Sequence, residues 1–246
     1  MDGILLVDKP KGWTSFDVVA KVRGVLRQAQ KELRSQSSEL GNSKIQDPRS
    51  KIKVGHTGTL DPSATGLLVL CIGKYTKKVP DMIRHNKTYE AEMTLGATST
   101  TGDQEGVIAQ STIYDLPTTE LIQSVLNEFI GEQMQVPPAY SAIKVDGKRA
   151  YELARAGKEV KLEPRKCTIH DLVLTSYDYP KVTFTCSVSS GTYIRSLVED
   201  IGKKLGTGAY MSELRRTKVA EFDLHNAIST DNIDYETIKK ELITYE

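Results

Sequence analysis

The sequence predicts an α/β fold of the α+β kind, in which helices flank a mixed, largely antiparallel central sheet. Segments with a strand-like pattern outnumber helical ones, and hairpin-like turns such as residues 145–148 join several of them. The 246 residues are 39% hydrophobic and 26% charged, which is ordinary for a soluble globular protein. A chain of this length can bury a sizeable core without disulfides or bound metals.

The first elements follow from local patterns. Residues 4–7 are apolar and predict a short strand, and residues 8–12 form a turn rich in Lys, Pro and Gly. Ser15 is placed to cap a helix that runs from Phe16 to about Gln30.

Three segments of different composition follow. Residues 31–52 are polar, with almost no large apolar side chains, and predict a flexible insertion. Residues 54–62 are rich in Gly and Thr and predict a loop. Residues 67–72 form a continuous apolar run, which predicts a buried strand.

The rest of the chain shows segments of strand-like and of helix-like hydrophobic periodicity. Period-two alternation predicts strands, and three- to four-residue periodicity predicts helices. Strands are expected at 89–95 and 182–188, helices at 116–130 and 194–205, and a further short element from Tyr210 to Arg216.

Charge and cysteine content exclude several classes of protein. The net charge is only +1, so the whole chain is not a polybasic nucleic-acid binder. The odd, widely spaced Cys71, Cys167 and Cys186 indicate buried, reduced thiols. The N-terminus lacks the pattern of a signal peptide, and the longest apolar run, from Gly66 to Gly73, is far shorter than a membrane span. The expectation is a cytoplasmic protein that does not associate with membranes.

A basic strip covers residues 144–166. It predicts either a surface that contacts phosphates or a solvated helix face, and charge alone does not choose between them. Four acids accompany its eight cations, which are Lys144, Lys148, Arg149, Arg155, Lys158, Lys161, Arg165 and Lys166.

The loop from Gly55 to Gly66 carries the residues most suited to chemistry. It combines three glycines with the imidazole of His56 and the carboxylate of Asp61. It lacks the Gly-Lys-Ser/Thr ending of a phosphate loop, and His56 has no second histidine at metal-binding spacing, so no metal site is expected. Taken alone, the spacing favours reading Asp61-Pro62 as an ordinary turn start.

Several ordered blocks resemble the TruB family of tRNA pseudouridine synthases. The resemblance spans about residues 3 to 230. Its central block is Gly55-His56-Thr57-Gly58-x-Leu60-Asp61-Pro62-x-Ala64-x-Gly66, and the others are Gly3-Ile4-Leu5-x-Val7-Asp8-Lys9-Pro10-x-Gly12-x-Thr14-Ser15, Lys87-x-Tyr89, Gln135-Val136-Pro137-Pro138-x-Tyr140-Ser141-Ala142-x-Lys144, Gly191-Thr192-Tyr193-Ile194-Arg195-Ser196-Leu197 and Leu214-Arg215-Arg216-Thr217.

The resemblance implies a catalytic group of three residues. Asp61 matches the catalytic aspartate, Tyr89 the tyrosine that stacks on the flipped uracil, and Arg195 the arginine that pairs with the aspartate. As substrate-binding residues it implies His56, Tyr193 and Leu214 around the displaced nucleotide, with Lys144, Lys148, Arg149 and Arg155 of the basic strip on RNA phosphates. Lys9, Pro10 and Gly12 are interpreted as structural.

The implied function is the isomerisation of uridine to pseudouridine in the T-loop of tRNA, at position 55, after base flipping. Nothing is oxidised and no group is added, so no cofactor is expected. The expected partner is the T-arm of tRNA, bound by a monomer without an obligate protein partner. Two alternatives stay open, a tRNA-folding chaperone on the same scaffold and a synthase that acts on a different RNA. Whether Asp61 attacks C1′ or C6, or removes the 2′ proton, is also open.

The implied organisation is a catalytic domain over residues 1–230, with an RNA-contacting insertion at about 110–160 that clasps the RNA arm. Residues 231–246 are expected to be a tail, without the small PUA-type RNA-binding domain that many bacterial members carry. Thr100 stands where an acid is common in the family, while Asp103 is kept.

Overall fold

A computed structural model describes residues 1–39, 52–112, 115–145 and 147–245. The chain forms two compact units, one of Met1–His85 with Arg216–Glu246 and the other of Asn86–Arg215. They are called the first and the second unit below.

The described residues form fourteen strands and six α-helices, joined by turns and loops. The strands are β1 Gly3–Lys9, β2 Val54–His56, β3 Thr65–Ile72, β4 Lys87–Leu95, β5 Ala97–Ser99, β6 Ile108–Gln110, β7 Gly131–Gln135, β8 Lys144–Val145, β9 Lys148–Arg149, β10 Arg165–Asp178, β11 Lys181–Val188, β12 Ala209–Val219, β13 Phe222–Asp223 and β14 Ile228–Ser229. The helices are α1 Ser15–Glu39, α2 Val79–Met82, α3 Thr119–Glu128, α4 Ala150–Arg155, α5 Ile194–Leu205 and α6 Tyr235–Glu241, with 3₁₀ turns at Gly73–Lys78, Leu224–Asn226 and Thr230–Asn232.

In the first unit, β1 pairs with β3 antiparallel and with β14 parallel, while β2 pairs with the other edge of β3. Both faces of β3 are buried, which explains its unbroken apolar sequence. One face packs on α1 through Val18, Val22 and Leu26. The other face packs on Met82 and Phe222.

Helix α1 differs from its prediction at both ends. It starts at Ser15, so Thr14 is the residue that caps it: the Thr14 hydroxyl accepts from the amide of Asp17, whose carboxylate accepts from the Thr14 amide and hydroxyl. The prediction that Ser15 caps the helix is therefore wrong. The helix also continues past Gln30 to Glu39, because these residues include strong helix formers such as Lys, Glu, Leu and Arg. The rest of the predicted insertion, residues 40–51, lies outside the described residues.

In the second unit, strands β4, β11, β10 and β7 pair antiparallel in that order. Helices α3 and α5 accompany this sheet. Residues of α5 occupy the span predicted for it, and Gly206 ends it in a left-handed conformation with φ +73°. Two small hairpins also belong to the unit, β5–β6 and β8–β9, and the second pairs Val145 with Lys148, the two ends of the turn predicted at 145–148.

These observations confirm the fold class: helices accompany sheets that are mixed and largely antiparallel. The three cysteines are buried and free, as predicted. No helix in the described part of the chain has both the length and the apolar composition of a membrane span.

Candidate active site

The loop that carries Asp61 lies between β2 and β3 of the first unit. At its start, the Thr57 amide donates to the Val69 carbonyl at 3.0 Å, and near its end the Ala64 amide donates to the Asp61 carbonyl at 3.1 Å. Asp61 therefore begins a tight turn, and its side chain is only half-buried. A half-exposed carboxylate on a loop fixed at both ends is well placed to meet a bound molecule.

The turn between β1 and α1 fixes the middle of this loop. The buried Ser15 hydroxyl accepts from the Leu60 amide at 2.8 Å and donates to the Leu60 carbonyl at 3.0 Å. The Gly12 amide donates to the Pro62 carbonyl at 2.8 Å. Because these bonds lie on either side of Asp61 in the sequence, the backbone that carries the carboxylate is held rigidly.

Lys9 lies fully buried beneath this loop. Its ammonium donates to the carbonyls of Trp13 at 2.6 Å, Pro10 at 3.0 Å and Pro62 at 3.4 Å. Burial lowers the pKa of Lys9 to about 8, although the nearby charge of Asp61 opposes that shift. The interpretation of Lys9 as structural agrees with these contacts.

Arg216 binds the same loop from β12 and is 1% exposed. Its guanidinium donates to the carbonyls of Leu67 at 2.7 Å, Gly58 at 3.0 Å and Thr59 at 3.4 Å. The sequence places Arg216 in a family block, but no role was predicted for it. Arg216 lies on the same face of β12 as the buried Leu214, so an arginine at alternate spacing from an apolar strand residue was the available signal.

His56 leads into the loop from β2. Burial, with a smaller contribution from Arg216, lowers the pKa of His56, which favours the neutral imidazole at pH 7. Its buried Nδ1 has no hydrogen-bond partner within the described residues. A neutral ring next to the loop is suited to packing against an apolar or aromatic group rather than to binding an anion.

The remaining predicted residues belong to the second unit. Tyr89 lies on β4, opposite Cys186 on β11, and is 7% exposed. Tyr193 immediately precedes α5, and the side-chain amide of Gln135 binds both its backbone amide and its carbonyl, at 2.8 and 3.0 Å. Leu214 is a buried residue of β12.

Arg195, in the first turn of α5, is the centre of a buried polar cluster in the second unit. Its Nε lies 3.6 Å from the carboxylate of Asp103, and both side chains are almost fully buried. The same guanidinium donates to the carbonyls of Thr101 at 3.1 Å and Tyr140 at 3.0 Å. Burial raises the pKa of the neighbouring Glu199. Arg195 thus joins three segments that are distant in sequence.

The basic strip lies on β8, β9, α4 and the chain that follows them. Only Ala150–Arg155 is helical, so the alternative of one solvated helix face does not describe it. Lys144, Lys148, Arg149 and Arg155 are all exposed, and the two guanidinium groups lie 5.9 and 5.7 Å from the ring centre of Tyr151.

The predicted residues thus fall into two groups. The first unit holds Asp61 on an anchored loop and His56 at the end of β2 that leads into it. The second unit holds Tyr89 on β4, Tyr193 just before α5, Arg195 on α5 and Leu214 on β12. Among the described residues, no three His, Cys, Asp or Glu side chains cluster as metal ligands would.

Two family models match consecutive parts of the chain. Residues 45–194 match the N-terminal domain of the TruB family pseudouridylate synthases, and residues 195–243 match a C-terminal domain of tRNA pseudouridylate synthase B.

Individual relatives match nearly the whole chain. It is 42% identical over 243 residues to the tRNA pseudouridine synthase B of Clostridium kluyveri, and the matched region covers 99% of this chain and 76% of the relative. It is 44% identical over 238 residues to the tRNA pseudouridine synthase B of Burkholderia mallei, with 96% and 70% covered.

A solved Cbf5–Nop10–Gar1 complex contains a similar fold. The TM-score is 0.68 at 30% identity, over 97% of this chain and 56% of the solved one. A second such structure, an H/ACA RNP bound to a substrate RNA, has a TM-score of 0.64 at 29% identity. This chain spans little more than half of the length of either solved chain, 56% and 55%.

Proposed function

Since the chain belongs to the TruB family of pseudouridylate synthases, we propose that it isomerises uridine to pseudouridine in the T-loop of tRNA, at position 55, with Asp61 as the catalytic carboxylate. The observation that carries the assignment of Asp61 is the anchoring of its loop. Side chains of Lys9, Ser15 and Arg216 bind the backbone on both sides of a carboxylate that itself stays half-exposed. A reacting group gains most from such fixed geometry.

The reaction defines what the protein must supply. The bond from C1′ to N1 of uracil breaks, a bond from C1′ to C5 forms, the C5 proton leaves and N1 gains one. Atoms and electrons balance without an oxidant or a donor group. A carboxylate serves each of the open routes, as a nucleophile towards C1′ or C6 or as the base that takes the 2′ proton.

The other site residues receive roles that the family motif supplies. Tyr89 and Tyr193 offer aromatic faces to the flipped uracil, and stacking on such a face contributes about 1–3 kcal/mol per base. Leu214 adds an apolar wall, and the neutral ring of His56 packs against the displaced nucleotide. Arg195 is the arginine that the family pairs with its aspartate, and the buried Asp103 and the Tyr140 carbonyl orient its guanidinium.

RNA affinity is proposed to come from the basic strip. Lys144, Lys148, Arg149 and Arg155 are exposed on a hairpin and a short helix, where they can reach phosphates without reading sequence. Tyr151 lies under two of these cations, which orders them. We place them in an RNA-contacting insertion at about residues 110–160, within a catalytic domain over 1–230.

The remaining proposals concern the oligomeric state and the cellular location of the enzyme. We propose that the enzyme works in the cytoplasm as a monomer on the T-arm. A sedimentation experiment with and without tRNA tests the monomer directly, and a stable dimer in both samples would overturn it.

Replacing the catalytic carboxylate tests the function. We expect Asp61→Asn to abolish pseudouridine formation in unmodified tRNA while tRNA binding stays within about threefold, because phosphate contacts dominate affinity. Chemical mapping of pseudouridine is the measurement, and Asp81→Asn, an exposed aspartate on α2, is the matched control that should keep full activity. Turnover above about a hundredth of wild type in Asp61→Asn would remove Asp61 from the reaction. Product in an unrelated RNA but not in tRNA would overturn the substrate assignment.

A further inference from the structure

Phe16 exposes an aromatic ring at the start of α1. It is 63% exposed, whereas Val18 and Val19 in the same turn are buried in the core of the first unit. Arg23, on the same helix, links this ring to another part of the unit. The guanidinium of Arg23 lies over the ring at 6.0 Å from its centre, and it donates to the Val54 carbonyl at 3.1 Å.

The position of Phe16 is fixed relative to the loop of Asp61. The preceding residue, Ser15, exchanges two hydrogen bonds with Leu60, the residue before Asp61. Phe16 therefore follows directly after a residue that is hydrogen-bonded to the loop of Asp61. The start of α1, which carries Phe16, is therefore held against the loop of Asp61.

One cation lies against this ring, the guanidinium of Arg23. A second cation, Lys21, lies 5.6 Å from the ring centre of the nearby Trp13. The adjacent acid, Asp17, is engaged by the Thr14 amide and hydroxyl as a helix cap. Exposed aromatic faces next to cations are the composition with which proteins hold unpaired nucleotides, because the ring stacks on a base while the cation meets a phosphate.

We propose that Phe16 is a stacking platform for one unpaired base of the RNA substrate, a neighbour of the target uridine, with Arg23 beside the ring as the cation that meets a phosphate of that nucleotide. The inference rests on the proposed function and adds a substrate contact outside the family residues named above. It assigns a role to a surface that neither the fold nor the chemistry at Asp61 requires. The platform reads no base identity, since every base offers a π-face.

Substitutions at position 16 test the aromatic character. On a T-arm stem-loop RNA, we expect Phe16→Ala and Phe16→Leu to raise KM roughly 5- to 50-fold with kcat changed less than about twofold, since stacking supports binding and not the chemical step. Phe16→Tyr should restore KM to within about twofold. The exposed position leaves folding unaffected. Tyr179→Ala removes an exposed aromatic of the second unit and is the matched control.

A double-mutant cycle then identifies the base. Each loop nucleotide next to the target uridine is replaced in turn by an abasic one, and binding is measured with wild type and Phe16→Ala. The proposal expects the two losses to be non-additive at one nucleotide and additive elsewhere.

Each contrary result overturns the platform. An unchanged KM, a Leu variant as good as Phe, or additivity at every nucleotide excludes stacking. A shift in sedimentation that Phe16→Ala abolishes would make the patch a surface between copies of the chain. Failure of the proposed function is separate: wild type would then form no pseudouridine, while the binding cycle still reports on Phe16.

Discussion

Arg216 offers the sharpest test of how the structure supports the reaction. Replacing it by methionine keeps most of the side-chain volume but removes all three hydrogen bonds to the carbonyls of Leu67, Gly58 and Thr59. Two of these carbonyls belong to the loop that carries Asp61. At 1% exposure, water cannot replace the missing donors without rearrangement.

The magnitude follows from these hydrogen bonds. A hydrogen bond to a charged group contributes about 1.5–3 kcal/mol, and the two shorter bonds together give about 3–6 kcal/mol. Removing a buried charge recovers part of its desolvation cost, so we expect Arg216→Met to lose about 3–5 kcal/mol of unfolding free energy. Arg216→Lys should lose about 2–3 kcal/mol, because one ammonium cannot span the fork of acceptors.

Urea unfolding followed by circular dichroism measures the loss, and pseudouridine formation under conditions where the variant stays folded measures the effect on the loop. We expect kcat to fall at least about tenfold in Arg216→Met, because the carboxylate loses its fixed position. Lys218→Met, an exposed cation on the same strand, should change stability by no more than about 0.5 kcal/mol. A loss below about 1 kcal/mol in Arg216→Met with unchanged kcat would refute the role given to Arg216.

Three further predictions address the loop and the RNA surface. Gly66→Ala should lose about 3 kcal/mol or more in the same urea assay, because Gly66 has φ +99° and a Cβ there would lie 2.3 Å from a backbone oxygen of the neighbouring strand. Lys9 has a pKa of about 8 in the folded protein and 10.5 in the unfolded chain, so between these pH values the unfolded chain holds more protons. The free energy of unfolding should therefore rise with pH through this window by up to about 3 kcal/mol, and Lys9→Met should lack this rise. Neutralising Lys148, Arg149 and Arg155 together should lower the slope of log affinity against log salt by roughly 0.7–0.9 for each phosphate that is no longer neutralised, with little change in turnover at saturating tRNA.

Control variants and contrary outcomes test each of these three predictions. Gly24→Ala, in an exposed and open part of α1, should stabilise the protein by about 0.5–1 kcal/mol, so a loss there would point to a general intolerance of alanine. Equal pH profiles for wild type and Lys9→Met would contradict the lowered pKa of Lys9. An unchanged salt slope in the triple variant would place the RNA surface elsewhere.

Local sequence determined several regular elements of this protein. The apolar run of β3 and the periodicity of α5 are properties of adjacent residues, and both were predicted with nearly the observed bounds. Strand β10, at Arg165–Asp178, escaped prediction because register shifts between Ile169 and Asp171 and between Leu174 and Ser176 interrupt its alternation. The helix cap at Thr14 escaped for another reason, since the Ser15 hydroxyl binds the Leu60 backbone instead of the helix amides.

Sequence also singled out Asp61 as the candidate catalytic carboxylate, because the block around it is contiguous and resembles the family motif. The side chains that support the candidate site residues are not contiguous with them. Arg216 reaches the loop across a separation of 158 residues from Gly58, and Arg195 binds Tyr140 across a separation of 55. A buried guanidinium takes whichever carbonyls the folded backbone presents to it, so only the tertiary structure could decide which residues support the reaction.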